Sequence, residues 1–196
     1  MANFLGNLHR ALALGVVLLI VVIAVLHRDA ISAGPQWANF FVIYLHILAG
    51  VLWIGLLWYF NFVQIPTMPK IPAELKPGIS KHIAPAALFF FRWAAAFTIL
   101  FGLGVAQMKE PGGIVGVLTF APGVVTIGLG MWLAIIMAAN VWFVIWPNQK
   151  KALGIVPADD AAKATAARVA MMASRINTIL SIPMLYCMVM QGGVAV

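Results

Sequence analysis

Charge is what this sequence has least of. Only 9% of its 196 residues are Asp, Glu, Lys or Arg, while 64% are apolar. A soluble domain carries about 25% charged residues. A chain this poor in charge cannot cover its own surface in water, but a bilayer solvates apolar side chains. Acids are scarcest. Asp29, Glu74, Glu110, Asp159 and Asp160 all lie between apolar runs and none lies inside one. Proton pumps and cation-coupled transporters bury acidic groups, so a small transporter or channel is disfavoured. The net charge of +7 comes from basic residues scattered between the apolar runs. That pattern is a membrane topology signal, and no nucleic-acid partner is expected.

Cysteine is nearly absent too. The lone Cys187 excludes an internal disulfide, a CxxC zinc pair and a CxxCH attachment site, so no covalent haem c is expected. The P-loop, HExxH and G-x-S-x-G signatures are missing as well. Arg10 ahead of an apolar stretch imitates a signal peptide. No small-residue cleavage site follows Leu26, where His27-Arg28-Asp29 comes next, so the segment is expected to remain as a helix.

What the sequence does have is long apolar runs. A helix needs about 20 residues to cross a hydrocarbon core of ~30 Å. Five runs meet or approach that length: 8–26, 37–62, 83–106, 122–146 and 169–190. They predict an all-α integral membrane bundle of about five transmembrane helices, a single domain over 1–196. Pro66, Pro69, Pro72 and Pro77 mark the break after the second run, and Pro147 and Pro157 the break after the fourth. The stretch 158–168 is amphipathic and predicts an extension of the last helix into water. Lys70, Lys76, Lys81, Lys150, Lys151, Lys163 and Arg168 fall in alternate loops, while the other side has only Arg28 and Lys109. The positive-inside rule then predicts a cytoplasmic N-terminus and a periplasmic C-terminus.

Polar side chains at membrane depth are costly and mark candidate sites. His46 lies about 14 Å into the second run from Trp37, with Ala49, Gly50 and Trp53 on its face. Its neutral imidazole can ligate haem iron or contact a substrate; the alternative is a hydrogen bond to a neighbouring helix. Arg92 lies about 13 Å into the third run and needs an anion or carbonyls as partners, because guanidinium does not deprotonate. A haem propionate, an anionic substrate or a lipid phosphate meets that need, as does snorkelling to the headgroups. Arg175, Asn177 and Ser181 open the fifth run, and Asn61 and Asn140 sit in the second and fourth. These either line a polar cavity or bond between helices. His27 and His82 sit at opposite membrane faces, with His27 on the side of His46. Met184 and Met188 are further axial-ligand candidates.

These residues also carry a resemblance. The stretch from His46 through Trp53, Trp58 and Asn61 to Gln64 resembles the second helix of the bacterial membrane-bound urate hydroxylase family, the PuuD type. Ile71-Pro-Ala-Glu-Leu-Lys-Pro, His82-Ile-Ala-Pro and Phe91-Arg-Trp-Ala are similar to the same family. So are Ala139-Asn-Val-Trp-Phe-Val-Ile-Trp-Pro-Asn-Gln-Lys and Ala173-Ser-Arg-Ile-Asn-Thr-Ile-Leu-Ser-Ile-Pro-Met-Leu. The resemblance implies a membrane domain joined to a periplasmic cytochrome c domain. It implies oxidation of urate to 5-hydroxyisourate, with electrons passed to a respiratory chain. It places the chain in the bacterial inner (cytoplasmic) membrane. No CxxCH is present, so a separate cytochrome c is expected to take the electrons. The alternative is a non-catalytic subunit, with or without a bound haem b, of a larger respiratory or photosynthetic complex. On the enzymatic reading His46, Arg92 and Arg175 are the catalytic candidates, with His46 as base or haem ligand and an arginine neutralising urate. His46, Trp53, His27 and His82 are the candidates for holding haem b, with His46 on the iron. Asn61, Asn140, Asn177 and Ser181 serve substrate or structure.

Overall fold

The structure, a computed structural model, describes residues 2–31 and 34–193. It is 86% helical, with no strand among the described residues. Five helices are long and apolar enough to span a membrane, as the runs predict. They are α1 (Leu8–Leu26), α2 (Pro35–Lys70), α3 (Lys76–Lys109), α5 (Val125–Ala152) and α6 (Asp160–Gly193). A short helix, α4 (Gly113–Leu118), lies between α3 and α5. The outward side chains are large and apolar, among them Val51, Phe143, Ile179 and Val189. The chain is a multi-pass membrane protein.

α2 and α5 outrun their apolar stretches because the expected breakers Pro66 and Pro147 do not break them. Pro66 and Pro147 lie inside continuous helices, and Pro85 lies inside α3. A proline removes one backbone donor, and its ring collides with the carbonyl four residues back. Those carbonyls belong to Phe62, Lys81 and Phe143. Each falls in a wider π turn, at Tyr59–Gln64, Ile79–Ile83 and Val141–Ile145. The π turn moves the colliding carbonyl aside, so the helix continues with a local bulge. The third span starts before its apolar run, and the amphipathic stretch from Asp160 joins α6 as expected. α4 has no counterpart among the predicted elements. It enters through Gly112 and Gly113, both at positive φ (72° and 58°), a conformation glycine adopts without penalty.

The chain divides into two compact units, Met1–Phe41 and Val42–Val196. In the first, α1 buries no residue, as suits a helix solvated by lipid. Asn7 caps its start, the side chain accepting from the Arg10 amide at 3.3 Å. Trp37 stacks on Phe41, centroids 5.2 Å apart.

In the second unit the long helices run antiparallel. Phe60 of α2 meets Phe91 of α3 edge-on at 5.7 Å, while Val42 lies beside Gly104. The core joins Trp53 and Leu57 of α2, Phe91 and Ala95 of α3, Met137 and Val141 of α5, and Ala173 and Met184 of α6. Lipid supplies little hydrophobic drive between helices, so close backbone approach at small residues matters. Gly130 of α5 is one such point: a methyl group there would sit 2.8 Å from Cys187 Cβ on α6. Gly128 is another: a methyl group there would sit 2.5 Å from the Val117 carbonyl oxygen of α4.

Candidate functional site

Most of the expected site residues fall into three groups within the second unit. The first is a hydrogen-bond zipper. Trp58 Nε1 donates to Ser181 Oγ at 3.1 Å, and that hydroxyl donates to the Thr178 carbonyl at 2.7 Å. Asn61 Nδ2 donates to Ser174 Oγ at 2.8 Å and to the Leu57 carbonyl at 2.9 Å. Asn140 Nδ2 donates to Asn177 Oδ1 at 2.7 Å and to the Ala173 carbonyl at 2.9 Å. Asn177 Nδ2 donates to the Met137 carbonyl at 3.0 Å. Asn177 and Ser181 are fully buried. These bonds tie α6 to α2 and α5, and away from water they satisfy groups that otherwise cost free energy.

The second group is cationic. Arg92 lies over the Trp146 ring, 3.4 Å from its centroid, and donates to the Leu88 carbonyl at 3.1 Å. Lys150 lies 5.7 Å from the same centroid. Arg175 and His82 are exposed and join neither group. His27, in the first unit, is exposed as well.

The third group lines a half-open cavity. A cavity of about 740 Å³ lies among α2, α3, α5 and α6, within the usual range for ligand pockets. Its walls are nearly all apolar. His46, Trp53 and Thr98 line it, and Lys109, Glu110 and Gln191 give it one polar end. Arg92 and Arg175 are not among its lining residues. His46 Nδ1 lies 2.9 Å from the Thr98 backbone carbonyl. A carbonyl only accepts, so Nδ1 carries the proton, and in the neutral ring the lone pair sits on Nε2. Gly102 makes this seat possible: a methyl group at Gly102 would lie 2.9 Å from His46 Cε1. Trp53 is fully buried, and its Nε1–H has no hydrogen-bond partner. At the polar end Gln191 Nε2 donates to Glu110 Oε2 at 3.0 Å.

This arrangement suits a flat, largely apolar group with a polar rim. Among the described residues no three His, Cys, Asp or Glu side chains gather as ligands for a bare metal ion. A haem brings four nitrogens of its own and asks the protein for one or two axial ligands. His46 Nε2 fits that need, and Met131, Met184 and Met188 line the same cavity. Lys109, at the polar end, would face the propionates of such a group. Thr98, Gly102, Lys109, Glu110 and Gln191 were not among the expected site residues. The Thr98 contribution is a backbone carbonyl, which no side-chain pattern reveals. Gly102, one helical turn after Thr98, left only a weak small-residue signal.

Residues 114–192 match the protein-family model described as Urate oxidase N-terminal. Over that segment the chain is similar to the urate oxidase N-terminal family. The match covers α4, α5 and nearly all of α6, so it includes Asn140, Arg175, Asn177, Ser181 and the methionines of the cavity wall. The match spans less than half of the chain and leaves out the segment holding His46, Trp53 and Arg92. No curated protein and no solved structure gives a significant match.

Proposed function

We propose that this protein is a membrane redox protein of the urate hydroxylase kind, with the cavity beside His46 as its working site. One observation carries the reading: a histidine at membrane depth has its Nδ1–H held by the Thr98 carbonyl at 2.9 Å, with its second nitrogen free to bind. The family match supports the substrate class. Conversion of urate to 5-hydroxyisourate takes oxygen from water and releases two electrons and two protons. A haem b in the cavity would supply one-electron carriage between urate and an acceptor. The protein's own part is to hold and orient. The Thr98 carbonyl fixes the His46 tautomer, which leaves the lone pair on Nε2. The buried Trp53 Nε1–H offers a donor to a polar edge. The walls are apolar, and Lys109 offers a positive charge to an anion. A separate cytochrome c or a respiratory chain takes the electrons, and the bacterial inner membrane is the site of action.

A second reading rests on the zipper. Nearly every polar side chain facing inward from α6 bonds to another helix, as in a non-catalytic subunit of a larger redox complex. Two measurements separate the readings. A visible spectrum of pure protein, oxidised and dithionite-reduced, is expected to show a haem b band that His46→Ala removes. Urate is expected to drive reduction of added cytochrome c. A spectrum without haem ends the ligand role of His46. No urate turnover with any acceptor, together with co-purification in a larger complex, establishes the subunit.

A further inference from the structure

Arg92 and Lys150 converge on one indole from different helices. Arg92 sits 3.4 Å and Lys150 5.7 Å from the centroid of Trp146. Both distances run to one point, so the two cations lie no more than about 9 Å apart. Like charges brought together this way repel unless an anion lies between them or beside them. Among the described residues no Asp or Glu forms an ion pair with Arg92 or Lys150. Among the described residues the one ion pair is Lys163–Asp160. Asp159 accepts from the Ala162 amide, Glu74 is exposed, and Glu110 is bonded to Gln191 near the opposite end of α3.

Arg92 is only part-exposed. One of its five N–H donors reaches the Leu88 carbonyl, which leaves most of its planar fork unused. That fork matches the oxygens of a phosphate bidentately, while Lys150 adds a point charge. Trp146 immediately follows the Val141–Ile145 π turn and lies within the last two turns of α5, and an indole near the end of a span prefers the headgroup zone. Lys151 is the next basic residue on the same turn, and Lys76 and Lys81 lie toward the start of α3.

We infer that Arg92, Trp146 and Lys150 form a phosphate site that binds the headgroup of an anionic phospholipid at the end of the bundle opposite the cavity. The site is separate from the redox reading and stands whether or not haem or urate binds. Arg92 supplies paired N–H donors to the phosphate, Lys150 the second charge, and the Trp146 ring holds both cations in place.

The experiment is native mass spectrometry of the full chain, delipidated in detergent and then titrated with phosphatidylglycerol, phosphatidylcholine or inorganic phosphate. Phosphatidylglycerol is expected to add one lipid that resists activation, with at least tenfold weaker retention in R92Q and an intermediate loss in K150Q. R92K is expected to recover only part, since it lacks the fork. K81Q, a neighbouring cation outside the site, is expected to behave as wild type. Millimolar phosphate that displaces the lipid would keep the anion site and assign it to soluble phosphate as well. Equal retention in wild type and R92Q, with unchanged melting midpoints, overturns the inference. So does equal binding of phosphatidylcholine.

Discussion

Asn177→Ala tests the zipper most directly. Asn177 is fully buried and makes two interhelical bonds, donating to the Met137 carbonyl at 3.0 Å and accepting from Asn140 at 2.7 Å. Interhelical hydrogen bonds in membranes average about 0.6 kcal/mol, with a maximum near 1.7. Two of them give about 1–3 kcal/mol, and the small void left by the amide adds a fraction of a kcal/mol. One partner is cushioned, because Asn140 keeps its bond to the Ala173 carbonyl. The expected loss is therefore about 1.5–3 kcal/mol. Denaturation by sodium dodecyl sulfate in mixed micelles, followed by circular dichroism, reads it. A double-mutant cycle with Asn140→Ala should give a coupling of about 0.5–1.5 kcal/mol. A loss below about 0.5 kcal/mol, or a coupling of zero, would refute the claim that these side chains hold α5 to α6.

Four further outcomes follow from the same geometry. Gly102→Ala places a methyl 2.9 Å from His46 Cε1 and should push the ring off the Thr98 carbonyl; in haem-loaded protein the reduced absorption band should shift or weaken, and an unchanged band refutes the seat. Gly128→Ala meets the Val117 backbone carbonyl at 2.5 Å and should destabilise by about 1–3 kcal/mol, seen as a lower melting midpoint. Trp58→Phe should cost about 0.5–1.5 kcal/mol for its lost bond to Ser181, and Ser181→Ala should then add little. Lys163→Ala breaks an exposed ion pair and should leave the melting midpoint where it is.

Much of the fold was legible because a membrane imposes one strong rule. Backbone groups in hydrocarbon must bond internally, so long apolar runs become helices. Proline misled the boundaries for a local reason. Pro66 and Pro147 carry the ordinary meaning of helix breakers, yet π turns at Tyr59–Gln64 and Val141–Ile145 absorb the clash. Nothing in the residue types announces a π turn in advance. α4 was hidden in a Gly-rich connection, because its packing on Val124 and Met131 is a tertiary contact.

The site was legible in its residues but not in its grouping. His46, Arg92, Asn61, Asn140, Asn177 and Ser181 all stood out as polar groups at membrane depth. Spacing along one helix cannot say which helix faces which. The antiparallel packing sets His46 against Thr98, Asn61 against Ser174 and Arg92 against Trp146. It leaves Arg175 and His82 exposed. Composition and run length by themselves determined an all-helical, membrane-spanning chain, because transfer of apolar side chains to lipid depends on residue type alone. Only the tertiary structure decided that His46 and Trp53 share an apolar cavity, that the asparagines bond between helices, and that Arg92 rests on an indole. Those outcomes depend on distances of about 3 Å between residues far apart in sequence, and a hydrogen bond weakens steeply beyond that range.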